Sequence, residues 1–182
     1  MSIPRSVREA AVSHFKATVT GFRQVEPHIG RYTIDDLKAM QRASPSLKVG
    51  LVGATKPKRR ASGELQIELS FAGVVVTRSG RIDEADDDAI DLAIAVAAAL
   101  SDWVPAAVVQ KCQPADDIRL DQVSSDEVDK AGLAVWAVLW SHTVLIGVDA
   151  IGTGIVSTPE APANSTITVV NDGETTTLGG GA

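Results

Sequence analysis

The residues that could support a reaction or bind a metal do not lie in patterns typical of either. Five acidic residues crowd the start of a predicted helix, namely Asp83, Glu84, Asp86, Asp87 and Asp88. A hard cation needs oxygen ligands that converge from several directions, whereas these side chains all leave one helical turn. Acidic residues at this place stabilise a helix through its dipole. The cluster therefore predicts a helix start and no metal site.

Histidines, nucleophiles and glycine-rich strings also give no clear signal of a metal site, a catalytic site or a nucleotide-binding loop. His14, His28 and His142 are far apart and lack the spacing of a zinc site, and no Gly-x-Ser-x-Gly elbow is present. The string GLVGATK at 50–56 lacks the spacing of a phosphate-binding loop. The string GTGIVS at 152–157 lacks the third glycine of a dinucleotide fingerprint, and two prolines follow it. We expect no enzyme and no cofactor, with a small intracellular enzyme whose site assembles in space as the alternative.

One basic segment stands out in a chain whose formal net charge is −6. Lys56, Lys58, Arg59 and Arg60 lie in KPKRRASG, which is typical of a turn-forming loop. A solvated turn would account for it. A contact with an acidic protein surface or with DNA passing nearby would also account for it. The acidic balance of the whole chain argues against a general nucleic-acid binder.

One long strand, or two strands with a bend at Ser141-His142, is predicted over 133–148. The segment is apolar on both of its alternating faces and must be covered on both. A chain of 182 residues has little material for a second cover, so we expect that cover from another subunit. Trp136 and Trp140 lie on this strand. Tryptophans are more often core residues, but here at least one of them is predicted at a subunit interface.

The remaining elements follow from hydrophobic periodicity and turn signals. Helices are predicted over 6–19, over 34–42 with Thr33 as its cap, and over 83–102 with Asp83 as its cap. The third helix has a wide apolar stripe formed by Ala89, Ile90, Leu92, Ala93, Ile94, Val96, Ala97 and Leu100. Strands over 47–54 and 65–77 flank the basic segment and predict a hairpin, and 118–123 is a short strand or an irregular link.

The composition changes near residue 150 and predicts two parts, a main domain over 1–150 and a C-terminal arm over 151–182. The arm is rich in Gly, Thr and Ser, and its β-branched runs on either side of NDGE predict a β-hairpin. An isolated hairpin is only marginally stable, so we expect it to dock on something.

The N-terminus has no apolar segment typical of a signal peptide. The longest apolar helical run, 90–100, is shorter than the ~20 residues that cross a bilayer. The one cysteine, Cys112, fits a reducing compartment. We therefore expect a soluble, intracellular protein.

The order of three segments resembles the tail terminator family of Mu-like phages and prophages. These segments are VEPHIGRYTIDDLKAM, ELQIELSFAGVVVTRSGRIDEA and KAGLAVWAVLWSHTVLIG, and the resemblance covers about residues 5–148. It implies an α+β fold with a mixed or antiparallel sheet and two or three packed helices, to which the C-terminal hairpin arm is added.

The resemblance also implies a function. Such a protein forms a ring, expected to be a homohexamer, that caps the head-proximal end of the tail tube and joins it to the head-completion proteins. The implied partners are other copies of the chain, the tube protein and a head-completion or connector protein. DNA would only pass through the lumen, and no membrane is involved. The protein would be assembled in the host cytoplasm and end in the virion. Another connector ring or a tail tube subunit is the closest alternative.

Overall fold

A computed structural model gives the fold, and it describes residues 2–30, 32–78, 81–123, 128, 132–147, 167–171 and 174–178. Within these residues the helices are α1 (Ile3–Thr18), α2 (Ile34–Gln41) and α3 (Ile82–Leu100), and a 3-10 segment spans Ala106–Lys111. The strands are β1 (Gln24–His28), β2 (Ser46–Arg59), β3 (Leu65–Thr77), β4 (Asp116–Gln122), β5 (Ala134–Ile146), β6 (Ile167–Asn171) and β7 (Glu174–Leu178).

Five strands form one mixed sheet in the order β1-β2-β3-β5-β4. β1 runs parallel to β2, with α2 in the connection between them, and the other neighbours are antiparallel. The predicted α+β fold with a mixed sheet and packed helices is confirmed. Each described helix is too short or too polar to cross a membrane.

One face of the sheet, here called the helix face, packs against α1 and α3. Alternation in β3 and β5 places Phe71 and Trp140 side by side on this face, where both are buried in one cluster with Phe15 of α1. In α3 the residues at 0% exposure are Ala85, Ala89, Ala93, Val96 and Leu100. Small alanines let this helix lie close to the strands. The buried stripe is narrower than predicted, since Ile94 is 52% exposed.

The opposite face, here called the open face, is covered over only half of its length. Leu37 and Met40 of α2 pack on Val74, Val76 and Val135 of the sheet, and Val128 joins this second cluster. The expectation that another subunit must cover the second face of β5 is therefore wrong for the apolar part of that face. The chain covers it with α2, which the sequence pattern did not assign to this place.

The two predicted helix caps have different outcomes. Thr33 caps α2 as predicted, because its hydroxyl accepts a hydrogen bond from the Asp36 amide while Asp36 accepts one from the Thr33 amide. The predicted Asp83 cap of α3 is wrong. The helix begins at Ile82, its N-cap is Arg81, and Asp83 lies in the first turn with its carboxylate 2.7 Å from the Arg81 guanidinium.

The predicted β2–β3 hairpin is confirmed. β3 has the predicted bounds, and β2 is longer than predicted. Lys56, Lys58 and Arg59 belong to β2, and the turn is confined to residues 60–64, where the Arg60 amide donates to the Glu64 carbonyl at 2.9 Å. The expected loop over 56–63 is therefore wrong. β2 continues because a register shift between Thr55 and Lys58 takes residues 56 and 57 out of the regular pairing, so Pro57 removes no regular ladder bond.

Within the C-terminal arm, β6 and β7 pair antiparallel from Ile167↔Leu178 to Asn171↔Glu174, and the hairpin arm stays a prediction. The turn residues Asp172 and Gly173 and the linking segment 151–166 lie outside the described residues. The proposed boundary between a main domain over 1–150 and an arm over 151–182 stays a prediction.

Candidate functional site

The uncovered half of the open face is polar and is built by strand alternation. Phe71 and Leu69 point to the helix face, so their neighbours Glu68 and Ser70 point to the open face. The register sets Glu68 opposite Thr143 and Ser70 opposite Ser141. We call this half of the sheet, which ends at the turn over 60–64, the polar face. It forms because polar residues replace most of the apolar ones on this side of β3 and β5 beyond α2, with Leu145 as an apolar residue near its end.

A groove of about 560 Å³ lies on the polar face. Its polar lining comes from Thr55, Glu68, Ser70, Asp117, Arg119 and Ser141. β4 has a register shift between Asp116 and Arg119, and Asp117 adopts a positive φ of 51°. This bulge brings β4 residues to one wall of the groove, while β2 residues form the other.

The Glu68 carboxylate in this groove is paired with Lys56. The Lys56 ammonium lies 2.9 Å from a Glu68 carboxylate oxygen, and the Thr55 hydroxyl donates to the other oxygen at 3.3 Å. The pKa of Lys56 is raised, first by its hydrogen bond and charge attraction to Glu68 and then by Asp117 and Asp116 across the groove. Lys56 is therefore held beside Glu68 by an exposed ion pair, which a partner can replace at little cost in stability.

A second depression, of about 180 Å³, lies further along the polar face near the hairpin turn. It is lined by Arg60, Gln66, Lys111, Cys112, Gln113, Thr143 and Leu145. The Lys111 ammonium donates to the Gly147 carbonyl at 3.0 Å. Among the residues that the structure describes, neither Arg60 nor Lys111 has a carboxylate oxygen within 4.0 Å.

Sequence reasoning selected Arg60 and missed Lys111. An isolated antiparallel bridge between Cys112 and Val144 holds the chain segment of Lys111 at the edge of β5. The two cations are separated in sequence by β3 and α3, so no local motif joins them. The only signal was that Lys111 immediately precedes a buried cysteine.

The two tryptophans predicted at a subunit interface have different environments. Trp140 is 2% exposed, stacks on Phe71 at 5.7 Å and meets Phe15 edge-on at 5.8 Å. Its assignment to an interface is therefore corrected: it belongs to the core of its own chain. Trp136 is partly buried, and its indole N–H donates to the Asp86 carboxylate at 2.8 Å, so it ties β5 to α3.

The remaining candidates for chemistry have structural roles. His14 stacks on Trp103 at 4.8 Å, and His28 stacks on Tyr32 at 4.0 Å. His142 is fully buried, with Nδ1 2.9 Å from the Gln113 carbonyl. Over the described part of the chain, no three His, Cys, Asp or Glu side chains group as metal ligands would. Burial raises the pKa of the Cys112 thiol to about 11, which keeps it protonated at neutral pH.

Of the two glycine-rich strings, 50–56 lies within β2 and 152–157 lies outside the described residues. Gly50 allows a close approach, because a Cβ there would lie 3.2 Å from the Tyr32 hydroxyl. That hydroxyl donates to the Lys48 carbonyl at 2.8 Å. The first string thus serves packing of Tyr32 on the sheet.

In comparisons with known proteins, the chain matches no family model and no curated protein. The resemblance to tail terminators therefore stays a prediction.

Proposed function

We propose that this protein is a structural subunit of a phage tail, a tail terminator that forms a ring at the head-proximal end of the tail tube. The ring is a homohexamer that joins the tube to the head-completion proteins while DNA passes through its lumen. It is assembled in the host cytoplasm and remains in the virion. The resemblance supplies this role, and one structural observation supports it: the uncovered outer edge of β2.

That edge is long and carries an unusual mixture of side chains. β1 pairs with β2 only from Ser46 to Gly50, and among the described residues no strand lies beside the rest of its outer edge. There Val52 is 62% exposed, next in the strand to the segment that contains Lys58 and Arg59. Exposed apolar groups bordered by charged groups are typical of a protein contact surface.

The same edge has features that prevent indiscriminate pairing. Two register shifts, Pro57 and several cations interrupt it, and bulges, prolines and lysines are the means by which proteins block edge-to-edge aggregation. An edge with these interruptions suits contact with one partner of matching shape. A closed ring of identical subunits provides such a contact on every subunit without leaving a free end.

Imaging of the purified protein by negative stain tests the assembly, with light scattering as the quantitative measure. We expect closed rings of six subunits. Long tubes would indicate a tail tube subunit, and a strict monomer at high protein concentration would contradict a preassembled ring.

A charge variant tests whether the basic part of the hairpin is a contact surface. Lys56, Lys58, Arg59 and Arg60 are all changed to Ser; the matched control changes the exposed cations Arg5, Lys16, Arg23 and Lys38 to Ser. Because exposed charges contribute little to stability, we expect both proteins to fold. Tail joining in a complementation assay should fall only for the hairpin variant. Full infectivity of that variant would show that these cations are only solvated.

The groove of about 560 Å³ favours a second candidate of a different class, a small enzyme or ligand-binding protein. A catalytic role for Glu68 would require its release from Lys56, which holds it at 2.9 Å. A thermal-shift screen of small molecules against the wild type and Glu68→Gln distinguishes the two candidates. A ligand that stabilises the wild type but not the variant would favour the enzyme.

A further inference from the structure

The depression near the hairpin turn collects hydrogen-bond donors from four chain segments that lie side by side on the polar face. Arg60 comes from the turn that follows β2, Gln66 from β3, Thr143 from β5, and Lys111 and Gln113 from the segment that runs along the edge of β5. The Gln113 amide donates to the Thr143 carbonyl at 2.9 Å, which fixes that segment beside the strand. Two cations, two carboxamides and one hydroxyl therefore line one space.

The acids close to this space are already engaged. Glu64, in the same turn as Arg60, is buried and accepts a hydrogen bond from the Ser62 hydroxyl at 3.1 Å. Glu68, next on the open face of β3, is bound by Lys56 at 2.9 Å. Arg60 and Lys111 thus face the depression with no carboxylate within 4.0 Å among the described residues.

We propose that this depression binds a phosphate group, with Arg60 and Lys111 supplying the charge and Gln66, Gln113 and Thr143 supplying further donors. Guanidinium and ammonium groups form their strongest hydrogen bonds with such oxyanions. A volume of about 180 Å³ equals that of several waters at about 30 Å³ each, which leaves room for one tetrahedral group.

A phosphate fits this set of donors better than a carboxylate does. A carboxylate presents its two oxygens in one plane, whereas a phosphate presents oxygens in several directions. The donors here come from four segments across the sheet, so they are spaced to contact several oxygens of one tetrahedral group. Lys58 projects to the same face, since it pairs with Gln66 in the register, and it extends the positive surface toward a neighbouring phosphate. This arrangement suits a phosphate of a DNA backbone. The assignment of DNA as the source of the phosphate rests on the proposed function, whereas the proposal of a phosphate site does not.

The first experiment measures thermal unfolding of the full chain in inorganic phosphate against chloride at equal ionic strength. Binding to the folded state raises the unfolding midpoint. We expect apparent affinity for phosphate to fall about tenfold in Arg60→Gln and in Lys111→Gln, as for the loss of one charge-assisted hydrogen bond. Lys16→Gln, an equal charge change at an exposed position on α1, should leave it unchanged. Equal stabilisation of all four proteins by phosphate would overturn the site.

The second experiment identifies the source of the phosphate by fluorescence anisotropy with a short labelled DNA duplex at several salt concentrations. The association constant K for the duplex decreases as the salt concentration rises. If the site binds a backbone phosphate, the magnitude of the slope of log K against log salt concentration decreases by about one in Arg60→Gln and in Lys111→Gln. An unchanged slope, with inorganic phosphate still bound, would overturn the DNA source and leave free phosphate as the ligand. Competition by a glutamate-rich peptide as strong as that of phosphate would overturn the assignment to a phosphate.

Discussion

The placement of Trp140 in the core is testable because a core residue and an interface residue respond differently to truncation. Trp140→Ala removes a side chain that is 2% exposed and lies between Phe71 and Phe15. We expect the free energy of unfolding of the single chain to decrease. If the ring forms, it should lose stability only because its subunits do.

The magnitude follows from packing. Deleting a buried tryptophan side chain costs about 3–5 kcal/mol, which includes the aromatic pairs with Phe71 and Phe15. One effect opposes this loss. The Trp140 indole Nε1 is buried with no hydrogen-bond partner among the described residues, and removing an unsatisfied donor recovers about 1 kcal/mol. We therefore expect a net loss of about 3 kcal/mol.

Trp136→Phe is the matched comparison on the same strand. The substitution retains an aromatic ring but removes the 2.8 Å hydrogen bond from the indole N–H to Asp86. The Asp86 carboxylate still accepts a hydrogen bond from the Gln122 side chain at 3.1 Å. The carboxylate is therefore not left unpaired, and the expected loss is about 1 kcal/mol.

The assay is urea unfolding followed by far-ultraviolet circular dichroism, repeated over a range of protein concentrations. A core residue produces the same loss at every concentration, whereas an interface residue produces a loss that depends on concentration. A loss below about 1 kcal/mol for Trp140→Ala, together with dissociation of an oligomer, would refute the core assignment.

Three further predictions concern pH, the cap of α2 and the C-terminal arm. Burial lowers the pKa of His142 below its ordinary value of 6.5, against the opposing hydrogen bond to the Gln113 carbonyl. The contribution of neutral His142 to stability is therefore present above pH 6.5 and is lost as the pH falls toward the folded-state pKa. In His142→Gln, the urea midpoint should change less with pH over this range. Thr33→Ala should cost about 1 kcal/mol of unfolding free energy, because the capping box of α2 is lost; an unchanged midpoint would contradict the cap. A chain truncated after Ser157 should keep its circular dichroism spectrum but lose ring stability or partner binding, whereas unfolding would show that the arm belongs to the core.

Elements whose stability is local were predictable from the sequence. The apolar periodicity that defines α1 and the Thr33–Asp36 box that begins α2 both act within a few residues. Alternation in β3 also identified the face that carries Phe71. The long β5 was predicted for the same reason, since its apolar residues occupy both alternating sets. In each case neighbouring residues contain the information.

Features that depend on distant segments were not predictable in this way. β1 was not predicted as a strand; it contains Pro27 and lies at the edge of the sheet, where a proline is tolerated. The cover of Val135 by α2 depends on a crossover that no local pattern encodes. Most of the basic segment is strand because a bulge accommodates Pro57. The meeting of Arg60 and Lys111 follows only from the order of strands in the sheet.

The helices leave one surface of the described sheet without cover. α1 and α3 cover one face, and α2 covers half of the other, so the remaining surface of the sheet is the polar face. Lys58, Arg60 and Lys111 are on it without a carboxylate partner among the described residues, although acids outnumber bases in the whole chain by 23 to 17. On a molecule of negative net charge, an anionic partner is attracted mainly to such a positive region. In the proposed ring, this direction of approach would be repeated in every subunit.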